Sequence, residues 1–146
     1  MTKENYARLV KSRSDDSPIV KNCLKAFAIG GAICLLGQGI AELYLTLGLD
    51  EDISKTLCSV TLIAIGVLLT ALHQYEKIAK HGGAGTLVPI TGFANAMSSP
   101  AIEFKAEGLV TGLASKMFVI AGPVLVYGTA AAVLYGFIYW LATGAK

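Results

Sequence analysis

A run of 27 residues without a charge, Met117–Thr143, constrains this chain more than any other feature. Wholly helical, it is about 40 Å long at 1.5 Å per residue, more than a hydrocarbon core of roughly 30 Å requires. Ala26–Leu47 is a second run of 22 residues, interrupted only by Gln38 and Glu42, and Leu57–Tyr75 is a third of 19. Hydrophobic residues make up 54% of the chain and the mean hydropathy is +0.61. Charged residues are 15%, against roughly 25% in soluble domains. The expected class is an all-α integral membrane protein with about four to five transmembrane or half-membrane helices.

The stretch that sets this chain apart is Gly82–Ile102. It has no charge in 21 residues, yet it carries four glycines and two prolines. Polar, irregular backbone at membrane depth is tolerated only where it is buried in protein or lines a wet cavity. The stretch is therefore expected to line a path. Phe93, Met97 and Ala101 recur every four residues as an apolar ridge, and Thr91, Asn95, Ser99, Glu103 and Glu107 recur likewise as a polar row. A four-residue row drifts around a helix of 3.6 residues per turn, so only neighbours within it share a face. Pro100 removes a backbone hydrogen bond, so two half-elements joined at Ser98–Pro100 are expected, then a charged connection at Glu103–Glu107. A second break is expected at Gly122-Pro123, which divides the last third into spans near 108–122 and 123–143.

The organisation read from these runs is an interfacial segment 1–25 followed by one membrane domain, 26–146. Residues 1–25 hold six basic residues against three acidic ones. Such charges attract anionic head groups by about 1 kcal/mol each near the surface. Asp16 or Ser17 is a candidate cap for a helix starting near Pro18. Lys and Arg favour this end and residues 76–81, so the N-terminus is expected in the cytoplasm. No cleavable signal is expected in so polar a beginning. Aromatic residues do not interleave with the basic ones, which argues against nucleic acid.

Cys23, Cys34 and Cys58 lack metal or redox spacing and read as packing residues. His73 and His81 read as interfacial side chains rather than ligands, so no metal and no cofactor are expected. No nucleophile–base arrangement is visible, and an enzyme is not expected. Glu42 is either a near-interface carboxylate or a pore-facing one. Glu103, Lys105 and Glu107, with Lys116 beyond them, either line a constriction or form a solvent-exposed loop. Gly30, Gly31, Gly37 and Gly39, and later Gly128, Ala132 and Gly136, offer small surfaces for helix packing. Tyr135, Tyr139 and Trp140 suit an interfacial belt. Lys25–Tyr44 and Lys116–Tyr135 share eight of 20 positions without gaps, a weak internal similarity of the sort that repeat-built transporters contain.

The runs GAGTLVPITGFANAM (Gly83–Met97), AIEFKAEGLVTGLASKMF (Ala101–Phe118) and AGPVLVYG (Ala121–Gly128) resemble the AC- and AE-type membrane subunits of the SpoVA sporulation family. KNCLKAF (Lys21–Phe27) and ICLLGQG (Ile33–Gly39) are similar to the AC type in particular. The resemblance covers nearly the whole chain. It implies a spore inner-membrane complex that moves dipicolinic acid, with calcium, into the forespore and releases it in germination. It also implies an AE-type membrane partner, a soluble AD-type subunit, and gating by membrane tension. Motif positions that carry over are Gly83, Gly85, Pro89, Thr91, Gly92, Phe93, Asn95, Glu107 and Gly108. With the spacing above, Thr91, Asn95 and Ser99 are expected on the path, Glu103, Lys105, Glu107 and Lys116 near a constriction, and Gly83, Gly85, Pro89, Gly92, Pro100 and Gly108 as hinge or backbone positions. A non-conducting scaffold subunit and a small stand-alone transporter are the competing readings. A homo- or hetero-oligomer is expected in each case.

Overall fold

The computed structural model describes residues 2–13 and 17–144, and among them there is no strand. Six α-helices follow in order: α1 Lys3–Arg13, α2 Ile19–Thr46, α3 Glu51–Ala71, α4 Tyr75–Gly82, α5 Pro89–Glu103 and α6 Ser115–Thr143. A 3-10 turn, Gly83–Leu87, links α4 to α5, while a second, Phe104–Glu107, and a π-helical turn, Leu109–Ala114, link α5 to α6. Three helices are long and apolar enough to cross a membrane: Ile19–Thr46, Glu51–Ala71 and Leu109–Thr143. With the half-length α5 they agree roughly with the expected four to five elements.

α2 opens at Ile19, ahead of the apolar run, with Lys21 and Lys25 exposed in its first two turns. Its cap residue is Pro18, with no side-chain capping bond; of the expected caps, Ser17 makes none and Asp16 lies outside the described residues. α2 and α3 are antiparallel. Cys58 donates its thiol to the Gly37 carbonyl at 3.2 Å, and the Tyr44 hydroxyl lies 2.8 Å from that of Thr61. Since Thr61 already donates to the Leu57 carbonyl, Tyr44 is the donor between them. Cys58 is buried as expected, whereas Cys23 and Cys34 lie on exposed faces.

α3 buries Ser54, Cys58, Leu62 and Gly66, one row at four-residue spacing. α5 lies along this row and parallel to α3. A Cβ at Gly66 would meet the Ala94 methyl at 3.2 Å and the Thr91 carbonyl at 3.4 Å, and one turn further Thr70 meets Asn95. α5 thus begins about halfway along α3 and runs to the same end. Its 15 residues make about 22 Å, short of a crossing. The chain leaves the end of α3, reaches back to mid-depth at Leu87–Pro89, and returns: Gly82–Ile102 re-enters.

α4 lies across the base of this hairpin with Tyr75 and Gly82 buried and Glu76, Lys77 and Lys80 exposed. The Tyr75 hydroxyl donates to the Thr86 carbonyl at 2.7 Å. The tip leans on α2, where Gly85 is so close to Ala26 that any Cβ would overlap the Ala26 carbonyl, and Gly30 faces Gly85 in turn. No other residue leaves room for that approach.

Two expected breaks are absent. α5 continues through Ser98–Pro100 to Glu103. Pro100 costs the hydrogen bond to the Ala96 carbonyl, but contact with α3 holds the helix. α6 likewise continues through Gly122-Pro123, a loss that membrane helices tolerate where local adjustment re-satisfies the freed carbonyl. The irregular backbone lies instead at Val88, at Phe104–Glu107 and at Gly108, whose φ of 104° favours glycine. The π-turn and α6 together number 35 residues, roughly 52 Å, so excess length is taken up by tilt or by emergence from the bilayer. Along α6, Tyr135 and Tyr139 stack at 6.3 Å and Phe137 and Trp140 at 6.2 Å, as an aromatic belt would.

Two measurements check this arrangement. Gly85→Ala is expected to destabilise the protein by about 1–3 kcal/mol through overpacking, whereas Gly31→Ala, with nothing within 4 Å, gains up to about 1 kcal/mol of helix propensity; thermal unfolding in detergent separates them. In a cysteine-free background, probes at Glu107 and at Lys80 are expected to label from one side of the membrane and a probe at Gly144 from the other. Labelling of Glu107 from the side opposite to Lys80 would remove the re-entrant topology.

Candidate functional site

The drift of the polar row along α5 decides where each of its members goes. Every step of four residues turns the side chain about 40° further around the helix. Asn95, Ser99 and Glu103 remain close enough to open into one cleft of about 300 Å³ between α3, α4 and α5. Thr70, His73, Glu76 and Ile102 complete its wall. Thr91 has rotated out of it and lines a separate cavity between α2, α3 and the start of α5. Within the cleft, exposure rises from half-buried Asn95, beside Thr70 in the last turn of α3, to exposed Ser99 and Glu103, so it closes at that turn and opens beyond the end of α3.

The inner end of the cleft is fixed by hydrogen bonds. Thr70 Oγ1 is 2.7 Å from the Gly66 carbonyl and 2.9 Å from the Asn95 side-chain oxygen position. One hydroxyl proton serves one acceptor. Both contacts are satisfied when Thr70 donates to Gly66 and the Asn95 amide is turned so that its NH₂ donates to Thr70. Asn95 is then locked to α3 by one bond, and its carbonyl oxygen is turned away from Thr70.

His73 enters the site through the end of α3. Its φ is 55°, the left-handed region that few non-glycine residues adopt and in which histidine is enriched. The cause is a Schellman closure: His73 N–H donates to the Thr70 carbonyl at 3.0 Å and Gln74 N–H to the Leu69 carbonyl at 2.9 Å. This reverse turn swings the His73 side chain into the cleft and starts α4 in a direction that brings Glu76 beside it.

A family model described as SpoVAC/SpoVAEB sporulation membrane protein matches residues 22–138, from the first turns of α2 to the last third of α6. Stage V sporulation protein AC of Bacillus subtilis (strain 168) is 46% identical over 137 residues, which is 93% of this chain and 91% of that protein. The chain belongs to the SpoVAC/SpoVAEB family. No solved structure matches it.

In this SpoVAC/SpoVAEB chain the remaining charged candidates lie apart from the cleft. Lys105 lines a broad apolar groove on the other side of α5, together with the ridge residues Phe93, Met97 and Ala101. Lys116 places its ammonium 4.1 Å from the centre of the Phe104 ring, a cation–π contact of about 0.5–1 kcal/mol. Glu107 is exposed on the 3-10 turn, where its carbonyl accepts the Thr111 hydroxyl at 2.7 Å. The 3-10 winding of Phe104–Glu107 carries Glu107 away from Glu103, since four residues at three per turn end on a different face. Among the described residues the ion pair seen is Lys55–Glu51 at 2.6 Å, on the far side of the fold.

Glu42 accepts the Gln38 amide at 2.9 Å on the exposed face of α2. Thr70, His73 and Glu76 are the cleft residues that the sequence did not announce. The four-residue continuation of α3's row from Gly66 to Thr70 was available as a signal, whereas the turn at His73 was not. The Thr70–Asn95 bond is testable in a double-mutant cycle with Thr70→Ala and Asn95→Ala. A coupling of roughly 0.6 kcal/mol is expected, the usual value between membrane helices; additive effects would place the two side chains apart.

Proposed function

We propose that this chain is a membrane channel subunit of a spore SpoVA complex, and that the cleft holding Asn95, Ser99 and Glu103 lines its path. The solute in this reading is dipicolinic acid with calcium, crossing the spore inner membrane. The partners are an AE-type membrane subunit and a soluble AD-type subunit. The N-terminus is cytoplasmic in this reading, because Lys21, Lys25, Lys77, Lys80, Lys105 and Lys116 all fall at the end of the fold where α2 and α6 begin and α3 ends, while Lys55 lies at the other.

One observation supports the proposal: a half-helix that starts beside the middle of α3 presents a polar row to a cleft that opens at the end of α3. A half-helix that starts from non-helical backbone, here at Val88, and carries a polar row is the usual construction of a solute pathway. A dicarboxylate neutralised by calcium suits a lining of neutral polar groups with few charges, and the cleft contributes Thr70, Asn95 and Ser99 against His73, Glu76 and Glu103. The cleft ends at the last turn of α3, so in this reading further subunits complete the path. The faces of α6 carrying Gly128 and Gly136 have nothing within 4 Å and are open to such neighbours.

Release of dipicolinic acid from spores, and leakage from liposomes holding the purified protein under tension, test the reading together. Asn95→Leu and Glu103→Gln are each expected to slow release by about tenfold or more, the effect of roughly 1.4 kcal/mol on a barrier, with assembly intact. Glu107→Gln is expected to have the smaller effect because its carboxylate lies outside the cleft. Normal release by assembled Asn95→Leu and Glu103→Gln proteins would exclude the cleft as the path. Tension-independent, solute-tight liposomes would favour a scaffold role.

A further inference from the structure

We infer that the apolar groove between α3, α5 and the base of α6 is a binding site for an anionic membrane phospholipid, with an acyl chain along the groove and the phosphate on Lys105. The groove has a volume of about 870 Å³ and lies on the other side of α5 from the polar cleft. The inference stands whether or not the chain conducts.

The groove has the shape and length of a trough for one hydrocarbon chain. Ser59, Ile63, Val67 and Ala71, a row at four-residue spacing on α3, form one wall, and Leu113 and Met117 bring the base of α6 to the other side. Ala94, where α5 meets Gly66, is 6% exposed, whereas Ile63 and Phe93 are 46% and 40% exposed. Ser59 to Ala71 on α3 is about 18 Å at 1.5 Å per residue. One leaflet, half of a hydrocarbon core of roughly 30 Å, is about 15 Å deep. A chain that runs from the head groups to the bilayer midplane therefore fits the trough end to end.

The lining suits hydrocarbon along this length. The Ser59 hydroxyl donates to the Lys55 carbonyl at 3.0 Å and the Ser98 hydroxyl to the Ala94 carbonyl at 2.7 Å, so neither has a proton left for a ligand. The other α5 side chains that line the groove are apolar. An apolar trough left empty forfeits dispersion contacts on one side, and in a membrane the filler at hand is an acyl chain.

Lys105 sets the charge of the occupant. Among the described residues that line the groove it carries the one charge, and it lies on the 3-10 turn past the ends of α3 and α5. Lys77, Lys80 and Lys116 fall at the same end, the level of the head groups. A lysine there lays its methylenes on apolar surface and holds its ammonium in the interface. Among the described residues no carboxylate is within ion-pair distance of Lys105. Glu103 opens into the cleft instead, and Glu107 is exposed on the turn. A phosphodiester is the anion that the interface supplies. The competing occupant, α6 of a second copy, brings none, since no acidic residue occurs between Glu107 and Lys146.

The experiment titrates the full chain in detergent with phosphatidylglycerol or phosphatidylcholine and reads bound lipid by native mass spectrometry. The wild type is expected to hold phosphatidylglycerol about tenfold more tightly than phosphatidylcholine. Lys105→Gln, at an exposed position, is expected to remove that preference, whereas Lys77→Gln, outside the groove, keeps it. Ile63→Trp, a bulky side chain on a half-exposed wall position, is expected to weaken both lipids, and Leu125→Trp on the open face of α6 to leave both unchanged. Equal affinity of the wild type for the two lipids overturns the site. So does a preference that survives Lys105→Gln or is lost equally in Lys77→Gln, and so does unchanged binding in Ile63→Trp. A lipid-free dimer that Ile63→Trp dissociates assigns the groove to a second copy and overturns the lipid; competition by soluble glycerol phosphate overturns it in favour of a free phosphate. Because the readout is binding, failure of the release assays leaves this result unaffected.

Discussion

Contact between Gly66 on α3 and the Thr91–Ala94 turn of α5 is the constraint on which the rest depends. Lipid offers no hydrophobic drive to bring two apolar helices together, so they associate through close van der Waals packing and hydrogen bonds. Gly66 permits that approach, and the approach brings Thr70 within 2.9 Å of Asn95. A half-length helix of 15 residues with a polar face stays in place through such contacts. Its tip is held a second time where Gly85 meets Ala26, and a third time by the Tyr75 hydroxyl on the Thr86 carbonyl.

The same geometry separates two polar environments along one helix. The outward part of α5 shares the cleft with His73 and Glu76, which the left-handed turn after α3 delivers. The inward end faces α2 instead, with Thr91 over a cavity that includes Lys55. The apolar ridge of Phe93, Met97 and Ala101 covers the remaining side and turns toward the groove at the base of α6. A helix with three distinct faces fits a subunit whose surroundings are partly solute, partly protein and partly lipid.

Much of this was legible beforehand. The charge-free runs pointed to the three long apolar helices, and the polar row named Thr91, Asn95 and Ser99 for the path, of which Asn95 and Ser99 share the cleft with Glu103 while Thr91 does not. The drift argument also held: Thr91 and Glu103, three steps apart, open into different cavities. The expected breaks at Ser98–Pro100 and Gly122-Pro123 did not hold, because proline removes one hydrogen bond but does not unwind a helix that its neighbours or the surrounding lipid keep regular. The charged connection expected at Glu103–Glu107 is a 3-10 turn at Phe104–Glu107, and its winding carries Glu107, the last member of the four-residue row, away from the cleft. Lys105 and Lys116 were placed near the acidic pair by sequence distance alone, while the fold gives one to a groove and the other to Phe104.

Composition and spacing thus determined that the chain is helical and membrane-embedded, and which residues of Gly82–Ile102 were too polar for lipid. Those are local properties, fixed by the cost of burying polar groups and by the helical repeat. Only the tertiary structure decided that the segment re-enters rather than crosses, and that Thr70, His73 and Glu76 join its polar face. Both outcomes depend on contacts between residues distant in sequence, above all the fit of Gly66 against Ala94 and of Gly85 against Ala26. A glycine in sequence announces that a close approach is possible; the fold alone specifies what approaches it.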